Sequence, residues 1–293
     1  MGLVTQVLAV GVLCGGIAAA LPDRTDAAEA FAPDRALTLA LATADKTAVG
    51  ALLDAKFQWV DVTGTVRNKA EALENLEAFA ASDKGIGSPT ELVTRDYGQV
   101  EVLRGIHDHV KFGHIWVKSS PSAGWRAFVY VDTPIRDVPE RSFTPRKPTN
   151  ADSCENPCNT TPFNEENAAT AAVKKTWMRI KTDEWKANAE DWDALSDVDH
   201  ITISSTGALP KRPHVEELAK QHAAFGGAGA GVPVISGHLA DFGNVVVMTD
   251  LEGRNPAKPA AFALRLFIDR GQGWKICLSI HTEIGAGRAA EGD

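Results

Sequence analysis

The sequence predicts an α+β protein made of two tandem copies of one fold, and three observations carry the prediction. Each half reads as helices followed by a run of strands, short motifs recur between the halves in register, and a proline-rich stretch separates them. At 293 residues the chain suits two domains of ordinary size better than one core. With 44% hydrophobic and 23% charged residues, the composition is that of a globular protein with ample apolar surface to bury. The net charge of -8 repels phosphate backbones, and no Lys/Arg run interleaved with aromatics occurs. Both features argue against nucleic acid as a partner.

The first twenty residues carry no charged side chain and end in Ala18-Ala19-Ala20. Such a start resembles a secretory signal, although it also fits a single apolar anchor. The expected organisation is an apolar leader over 1–26, a first domain over 27–135, a linker over 136–163 and a second domain over 164–293. Export to the periplasm or the exterior follows from the leader. No other segment reaches about 18 unbroken apolar residues, which excludes polytopic membrane insertion.

In the first half, Leu37, Leu41, Ala48 and Leu52 recur near helical spacing from Pro33 to Ala55. Phe57 to Val62 reads as a strand before a Thr63-Gly64 turn. Asn68 with Glu71 three residues later signals a capped helix carrying Leu73, Leu76 and Phe79. Strands follow over Leu92 to Val102, His109 to Lys118 and Trp125 to Asp132. Six prolines between Thr133 and Asn164 then make a stiff extended connector.

The second half repeats this order. Asn164 is read as the cap of a helix carrying Val173, Trp177 and Ile180. His200 to Ser204 is a strand, Val215 to His222 a short helix, and strands run on to Ile284. Asp96-Tyr97-Gly98-Gln99-Val100 parallels Asp241-Phe242-Gly243-Asn244-Val245, and Gly124-Trp125-Arg126 parallels Gly273-Trp274-Lys275. The offsets are 242 minus 97, or 145, and 274 minus 125, or 149. One loop insertion absorbs the difference, and duplication is the simplest reading.

Phe57-Gln58-Trp59-Val60-Asp61, Gly64, Lys69-Ala70-Glu71 and Gly124-Trp125-Arg126 together resemble the SnoaL-like branch of the nuclear-transport-factor-2-like superfamily, which includes ketosteroid-isomerase-like enzymes. In the second half Lys211-Arg212-Pro213 falls at the helix-opening lysine, whereas Ile203-Ser204-Ser205 departs from the Trp-x-Asp strand end. The resemblance covers about Ala36 to Ile284 apart from the linker. It implies a bent antiparallel sheet wrapped around amino-terminal helices, a cone whose apolar pocket suits a small hydrophobic molecule. It also implies that cones pair through their outer sheet faces, so that tandem fusion supplies an internal pseudo-dimer. A fold that hosts isomerases, dehydratases, cyclases and members without activity does not choose a reaction.

Candidate pocket residues are Trp59, Tyr97, Trp116, Phe128 and Phe242 for ligand binding, and Asp61, Tyr130, Asp132 and His281 for catalysis. Asp61 shares a strand face with Phe57 and Trp59. It either acts as a general base with a pKa raised in an apolar cone, or binds the amides of the Thr63-Gly64 turn. In the closing strands, alternation sets Arg126, Phe128, Tyr130 and Asp132 on one face, and Lys275, Cys277, Ser279, His281 and Glu283 on its counterpart. If those faces point inward, Tyr130 with Asp132 can orient a carbonyl and His281 can shuttle a proton. If Trp125 and Trp274 lead the inward faces instead, the polar groups are solvated.

His107, His109 and His114 read as a solvated loop rather than a metal site, and His200, His214, His222 and His238 show no metal spacing. Cys154 and Cys158 flank Glu155-Asn156-Pro157, which predicts a disulfide in an oxidising compartment, and Cys277 reads as a buried thiol. No phosphate loop, dinucleotide fingerprint or nucleophile elbow occurs, so no cofactor or metal is expected. Three functions stay open: a small-molecule binder, an isomerase- or lyase-type enzyme, and a non-catalytic interaction module with an exposed apolar sheet.

Overall fold

A computed structural model of the protein describes residues 29–83, 89–136, 143–148, 154–229 and 231–285. The expected leader lies outside them. The first half runs α1 (Phe31–Ala42), α2 (Lys46–Leu52), β1 (Leu53–Val60), β2 (Val66–Asn68), α3 (Lys69–Glu74), α4 (Leu76–Ser82), β3 (Thr90–Asp96), β4 (Val100–His107), β5 (Val110–Val117) and β6 (Arg126–Pro134). The second runs α5 (Ala168–Lys186), α6 (Ala189–Ala194), β7 (Ser196–Ser204), β8 (Gly207–Pro210), α7 (Lys211–Phe225), β9 (Val234–Asp241), β10 (Val245–Glu252), β11 (Ala261–Asp269) and β12 (Trp274–Glu283).

Each half forms one six-stranded sheet, in the orders β2-β1-β6-β5-β4-β3 and β8-β7-β12-β11-β10-β9. The topologies are the same, giving two tandem α+β cones built on one plan. The sheets are not wholly antiparallel as expected, because β1 runs parallel to β6 and β7 parallel to β12. Helices intervene between the first hairpin and the later meander, and such a crossover lets the chain return in the same direction.

Local signals explain most of the elements. Asn68 accepts from the Glu71 amide while the Glu71 side chain accepts from the Asn68 amide, a complete capping box on α3. The helix foreseen from Pro33 to Ala55 is broken instead, since Ala44 takes a positive φ of 50° and Asp45 caps α2 by accepting from the Ala48 amide. Asn167, not Asn164, caps α5, with Thr170 as its box partner. Lys69 Nζ donates to the Leu53 carbonyl at 2.8 Å, and Lys211 Nζ to the Ser196 carbonyl at 2.9 Å. Leu53 and Ser196 pair with Ala127 and Ile276, so each helix-opening lysine pins the same point of its own first strand.

The outer faces of the two sheets bury one another. Val60, Val102, Ile115 and Val131 of one sheet share a core with Val247, Leu264, Leu266 and Ile280 of the other. Gly113 permits the close approach, since a Cβ there would lie 2.5 Å from the Ile280 side chain. The two repeated Asp-aromatic-Gly turns also meet. Asp96 and Asp241 each accept from the glycine amide two residues on, and Gln99 Nε2 donates to the Phe242 carbonyl at 3.1 Å. Thr133 and Thr282, equivalent in the repeat, bond hydroxyl to hydroxyl at 2.7 Å. The expected intramolecular pairing is thus present, and it consumes the apolar sheet faces that an exposed interaction surface required.

The segment between the halves packs on the second cone. Cys154 and Cys158 form a disulfide, Asn156 makes two strand-like bonds to Val234, and Phe163 enters the second core. Gly237 makes room for it, because a Cβ would fall 1.9 Å from the Phe163 ring.

Candidate functional site

Which residues face into each cone is decided by a β-bulge that strict alternation does not reveal. On β6 the pairing with β5 slips between Ile115 and Trp116, leaving Phe128 unpaired. On β12 the slip falls between Leu266 and Phe267, leaving Cys277 unpaired. An extra residue reverses the facing of everything beyond it. Ala127, Tyr130 and Asp132 therefore point inward with Trp125, while Phe128, Val129 and Val131 point at the other sheet. Likewise Ile276, Ser279 and His281 face inward with Trp274, and Cys277, Leu278 and Ile280 outward. Each of the two alternatives read from the sequence describes one side of the bulge.

Strand pairing also fixes which residues correspond. Tyr130 lies opposite His114 and Trp59, and Ser279 opposite Arg265 and Thr202. Phe112 lies opposite Asp132, and Ala263 opposite His281. Thus Trp59, Phe112, Tyr130, His114 and Asp132 become Thr202, Ala263, Ser279, Arg265 and His281. The strand end matching Trp59-Val60-Asp61 is Thr202-Ile203-Ser204, one residue earlier than the sequence comparison placed it. Three large aromatic rings of the first cone have small counterparts in the second.

In the first cone those rings fill the interior. Phe79 stacks on Trp59 with ring centroids 4.8 Å apart, Tyr130 edges against it, and Phe57 lies tilted beside it at 5.7 Å. Beneath them Asp34 of α1, wholly buried, accepts from Tyr130 Oη at 2.5 Å, His114 Nδ1 at 2.8 Å and Trp116 Nε1 at 3.0 Å. Burial works against the charge of Asp34, but His114 and the three donors outweigh it and hold the carboxyl below its ordinary value. Burial likewise works to lower the His114 pKa, and Asp34 outweighs it and raises it. His114 is thus a buried partner of Asp34, each favouring the charged form of the other, and not part of the solvated loop expected for it. Tyr130 stacks on His114 at 3.6 Å, so its hydroxyl is committed to Asp34 rather than offered to a substrate.

A cavity of about 300 Å³ at the first cone's mouth touches Trp59, Asp61, Ser82 and Asp132. Ser82 Oγ bonds the Asp132 carboxyl, and burial pushes that carboxyl up to about 7 despite Ser82 and His114. Asp61 accepts from the Thr63 amide and hydroxyl and pairs with Arg67 at 2.6 Å. Although half-burial opposes this, Thr63 and Arg67 hold its pKa down. The base expected at Asp61 is therefore a turn anchor, as the alternative reading of Asp before Gly had it. Tyr97, Phe128 and Phe242 belong to the packing between the sheets and not to a cone interior, and Trp116 is spent on Asp34. Trp59 alone of the five expected ligand-binding residues reaches a cavity of a cone interior, through its edge.

The second cone encloses a cavity of about 860 Å³. Trp177, Ile180, Trp192 and Ile276 supply apolar walls, and Arg265, His200, His214, Thr202, Ser279 and His281 supply polar ones. Arg265 is buried against Asp250 and Glu252 and lies 4.1 Å over the Trp177 ring. Burial raises the Asp250 pKa, whereas Arg265 overrides burial and lowers that of Glu252. One guanidinium thus faces one full carboxylate and one that retains its proton more readily. Lys181 pairs with Glu184 at 2.6 Å, and Trp192 Nε1 donates to Glu184 at 3.3 Å. Burial, reinforced by Arg265, pushes His281 down to about 4, and burial with His214 does the same to His200. Both imidazoles are neutral near pH 7, and Trp177 Nε1 has no hydrogen-bond partner.

Residues 143–148 of the linker lie across the cavity mouth. Gln221 of α7 holds this strap, accepting from the Arg146 amide at 3.0 Å and donating to the Arg146 carbonyl at 2.8 Å. Among the sequence-predicted catalytic residues only His281 reaches this cavity, while Tyr130 and Asp132 belong to the other cone. His200, His214, Arg265 and Trp177 escaped notice because they come from four separate elements with no spacing in common. The one available signal was the loss of Trp-x-Asp in the second half, which marks where the filling was removed.

No family model matches the chain, and no curated protein matches it. Solved structures do resemble it. A nuclear-transport-factor-2-like protein of unknown function in nutrient uptake from Rhodospirillum rubrum shares 22% identity, with 37% of this chain and 100% of that one covered at a TM-score of 0.28. A protein of unknown function with a cystatin-like fold from Nostoc punctiforme shares 14% identity, over 42% and 97% of the two chains, at 0.34. A nuclear-transport-factor-2-like protein with a cystatin-like fold from Novosphingobium aromaticivorans shares 11%, over 43% and 90%, at 0.32. Each match spans about two-fifths of this chain.

Proposed function

We propose that this is an exported small-molecule-binding protein whose second cone is the binding site and whose first cone is a filled structural partner. The observation that carries the reading is the replacement of Trp59, Phe112 and Tyr130 by Thr202, Ala263 and Ser279, which accompanies a cavity of about 860 Å³. That volume lies within the range of about 300–1,000 Å³ typical of ligand sites, and its mixture of indole walls with a few convergent polar groups is typical too. The ligand is amphipathic rather than purely hydrophobic, because Trp177 Nε1 and His200 Nδ1 in the cavity wall have no hydrogen-bond partner among the described residues. Among the described residues no helix is long and apolar enough to cross a membrane. The Cys154–Cys158 disulfide fits an oxidising compartment.

An enzymatic reading has one specific support. His281 is a neutral base on the cavity wall, the state required for proton abstraction in an isomerase- or lyase-type reaction. Native mass spectrometry of protein purified from its own host tests binding. A defined mass lost on denaturation is expected, and a Thr202→Trp, Ser279→Tyr double variant, which puts the first cone's rings at two cavity-lining positions, is expected to lose it. Retention of the same mass by the folded double variant would place the ligand elsewhere and overturn the proposal.

A further inference from the structure

A second groove, which shares only His200 with the second cone's cavity, runs along the seam between the halves and holds about 590 Å³. Its wall on the first half is the outer face of the β3–β4 hairpin. Along that face Val102 packs on the other sheet, but two residues further on stands Arg104, and Arg95 sits opposite Val102. The apolar face thus ends in two arginines on neighbouring strands, within reach of one small ligand.

Charge balance around the groove is uneven. Lys211 pairs with Asp193 at 3.0 Å, Arg212 with Glu216 at 3.1 Å and Asp199 with Arg270 at 3.3 Å. Among the described residues neither Arg95 nor Arg104 makes an ion pair. Arg104 is half-buried, and burial together with the Arg95 charge lowers its pKa, which Glu91 offsets only in part. Two like charges, one partly desolvated and neither in an ion pair, are an unfavourable arrangement for the folded chain alone. They suit an oxyanion, because a guanidinium fork matches phosphate and sulfate oxygens. Beside them Val198, Ile201 and Val215 give the groove an apolar floor, and Val198 is 79% exposed.

We infer that this groove binds an organic phosphate or sulfate monoester, with Arg95 and Arg104 holding the oxyanion and the Val198–Ile201–Val215 floor taking the apolar part. The site depends on the tandem arrangement, since each half supplies one wall. It is independent of the proposal for the second cone.

Isothermal titration of the full chain with phenyl phosphate, inorganic phosphate and phenol, at matched ionic strength in chloride buffer, tests it. Phenyl phosphate is expected to bind best, phosphate about tenfold more weakly and phenol not measurably. Arg104→Gln and Arg95→Gln are each expected to weaken phenyl phosphate by at least tenfold. A second readout separates recognition from a structural role. In phosphate-free buffer Arg104→Gln should melt no lower than the parent, because it removes a partly desolvated charge that makes no ion pair, while losing the rise in Tm that phenyl phosphate gives the parent. Equal affinity in parent and both variants would overturn the inference. So would an Arg104→Gln variant that melts lower without ligand and keeps the ligand-induced rise. If phosphate does no more than chloride and phenyl phosphate binds no better than phenol, the oxyanion assignment fails outright.

Discussion

The two cones share a topology, a bulge position and a helix-anchoring lysine, yet one is solid and the other hollow. Trp59, Phe112 and Tyr130 occupy the first interior, whereas Thr202, Ala263 and Ser279 stand at the same places in the second. The buried charge differs in the same way. Asp34 and His114 neutralise each other among aromatic rings, while Arg265 reaches Asp250 and Glu252 beside open space. A duplicated fold therefore divides its labour: one copy supplies packing and an outer face, and the other, braced by that face, tolerates a void. Cavities are costly in a lone small domain, and the shared core between the sheets is what makes this one affordable.

The comparison breaks most visibly by exchanging fillings. Phe112→Ala should destabilise the first cone by about 3–5 kcal/mol, since the ring is fully buried and close-packed. Asp34→Ala should cost about 3–5 kcal/mol as well, by taking the shared buried acceptor from Tyr130, His114 and Trp116. Filling the other interior with Ser279→Tyr should shift stability by less than about 1.5 kcal/mol, because Ser279 lines the open cavity. Urea denaturation of the three variants checks the asymmetry. Comparable losses for Phe112→Ala and Ser279→Tyr would mean that the second cone is as tightly packed as the first.

An intermediate effect concerns pH. Asp132 and His281 occupy the same place in the repeat, and burial shifts them in opposite senses. Asp132 rises from 3.8 to about 7, so its folded form keeps a proton that the unfolded form releases. Its contribution is present at low pH and is lost as pH rises from about 4 through 7. His281 falls from 6.5 to about 4, so the unfolded form takes up a proton that the folded form refuses. Its contribution is present above pH 6.5 and is lost as pH falls towards 4. Relative to the parent, Asp132→Asn should therefore gain on the order of 1–3 kcal/mol on going from pH 4.5 to 7.5. His281→Asn should gain a similar amount in the reverse direction. Denaturation curves at the two pH values measure both, and the same sign for both variants would contradict the assignment.

Much of this architecture is legible in the residues. The Asn68–Glu71 box, the paired Asp-aromatic-Gly turns and the two Gly-Trp motifs are local signals, so the helix start, the hairpins and the duplication can be read directly. The site is less legible, for physical reasons. A bulge at Phe128 and Cys277 inserts one residue into a pattern of period two, so alternation assigns Phe128 and Tyr130 to one face when they lie on opposite ones. Asp34 looks like a surface residue in the first turn of a helix, and only the fold brings three donors to it. His200, His214, Arg265 and Trp177 converge from β7, α7, β11 and α5, a meeting that no spacing announces.

The smallest expected effect lies at the strand end where the halves diverge. Asp61 anchors its turn through Thr63 and Thr65 and holds Arg67, whereas Ser204 in the corresponding place bonds the Thr206 hydroxyl at 3.1 Å. Both are turn devices, the charged one stronger than the neutral one. Asp61→Ser should consequently cost about 1 kcal/mol, the usual worth of a lost local cap and a partly solvated ion pair. Binding in the second cone should not change. Had Asp61 been a general base, the same substitution would abolish turnover while leaving stability nearly intact. Thermal melting and a binding titration on one variant therefore distinguish an anchor from a catalyst, and the four donors around its carboxylate favour the anchor.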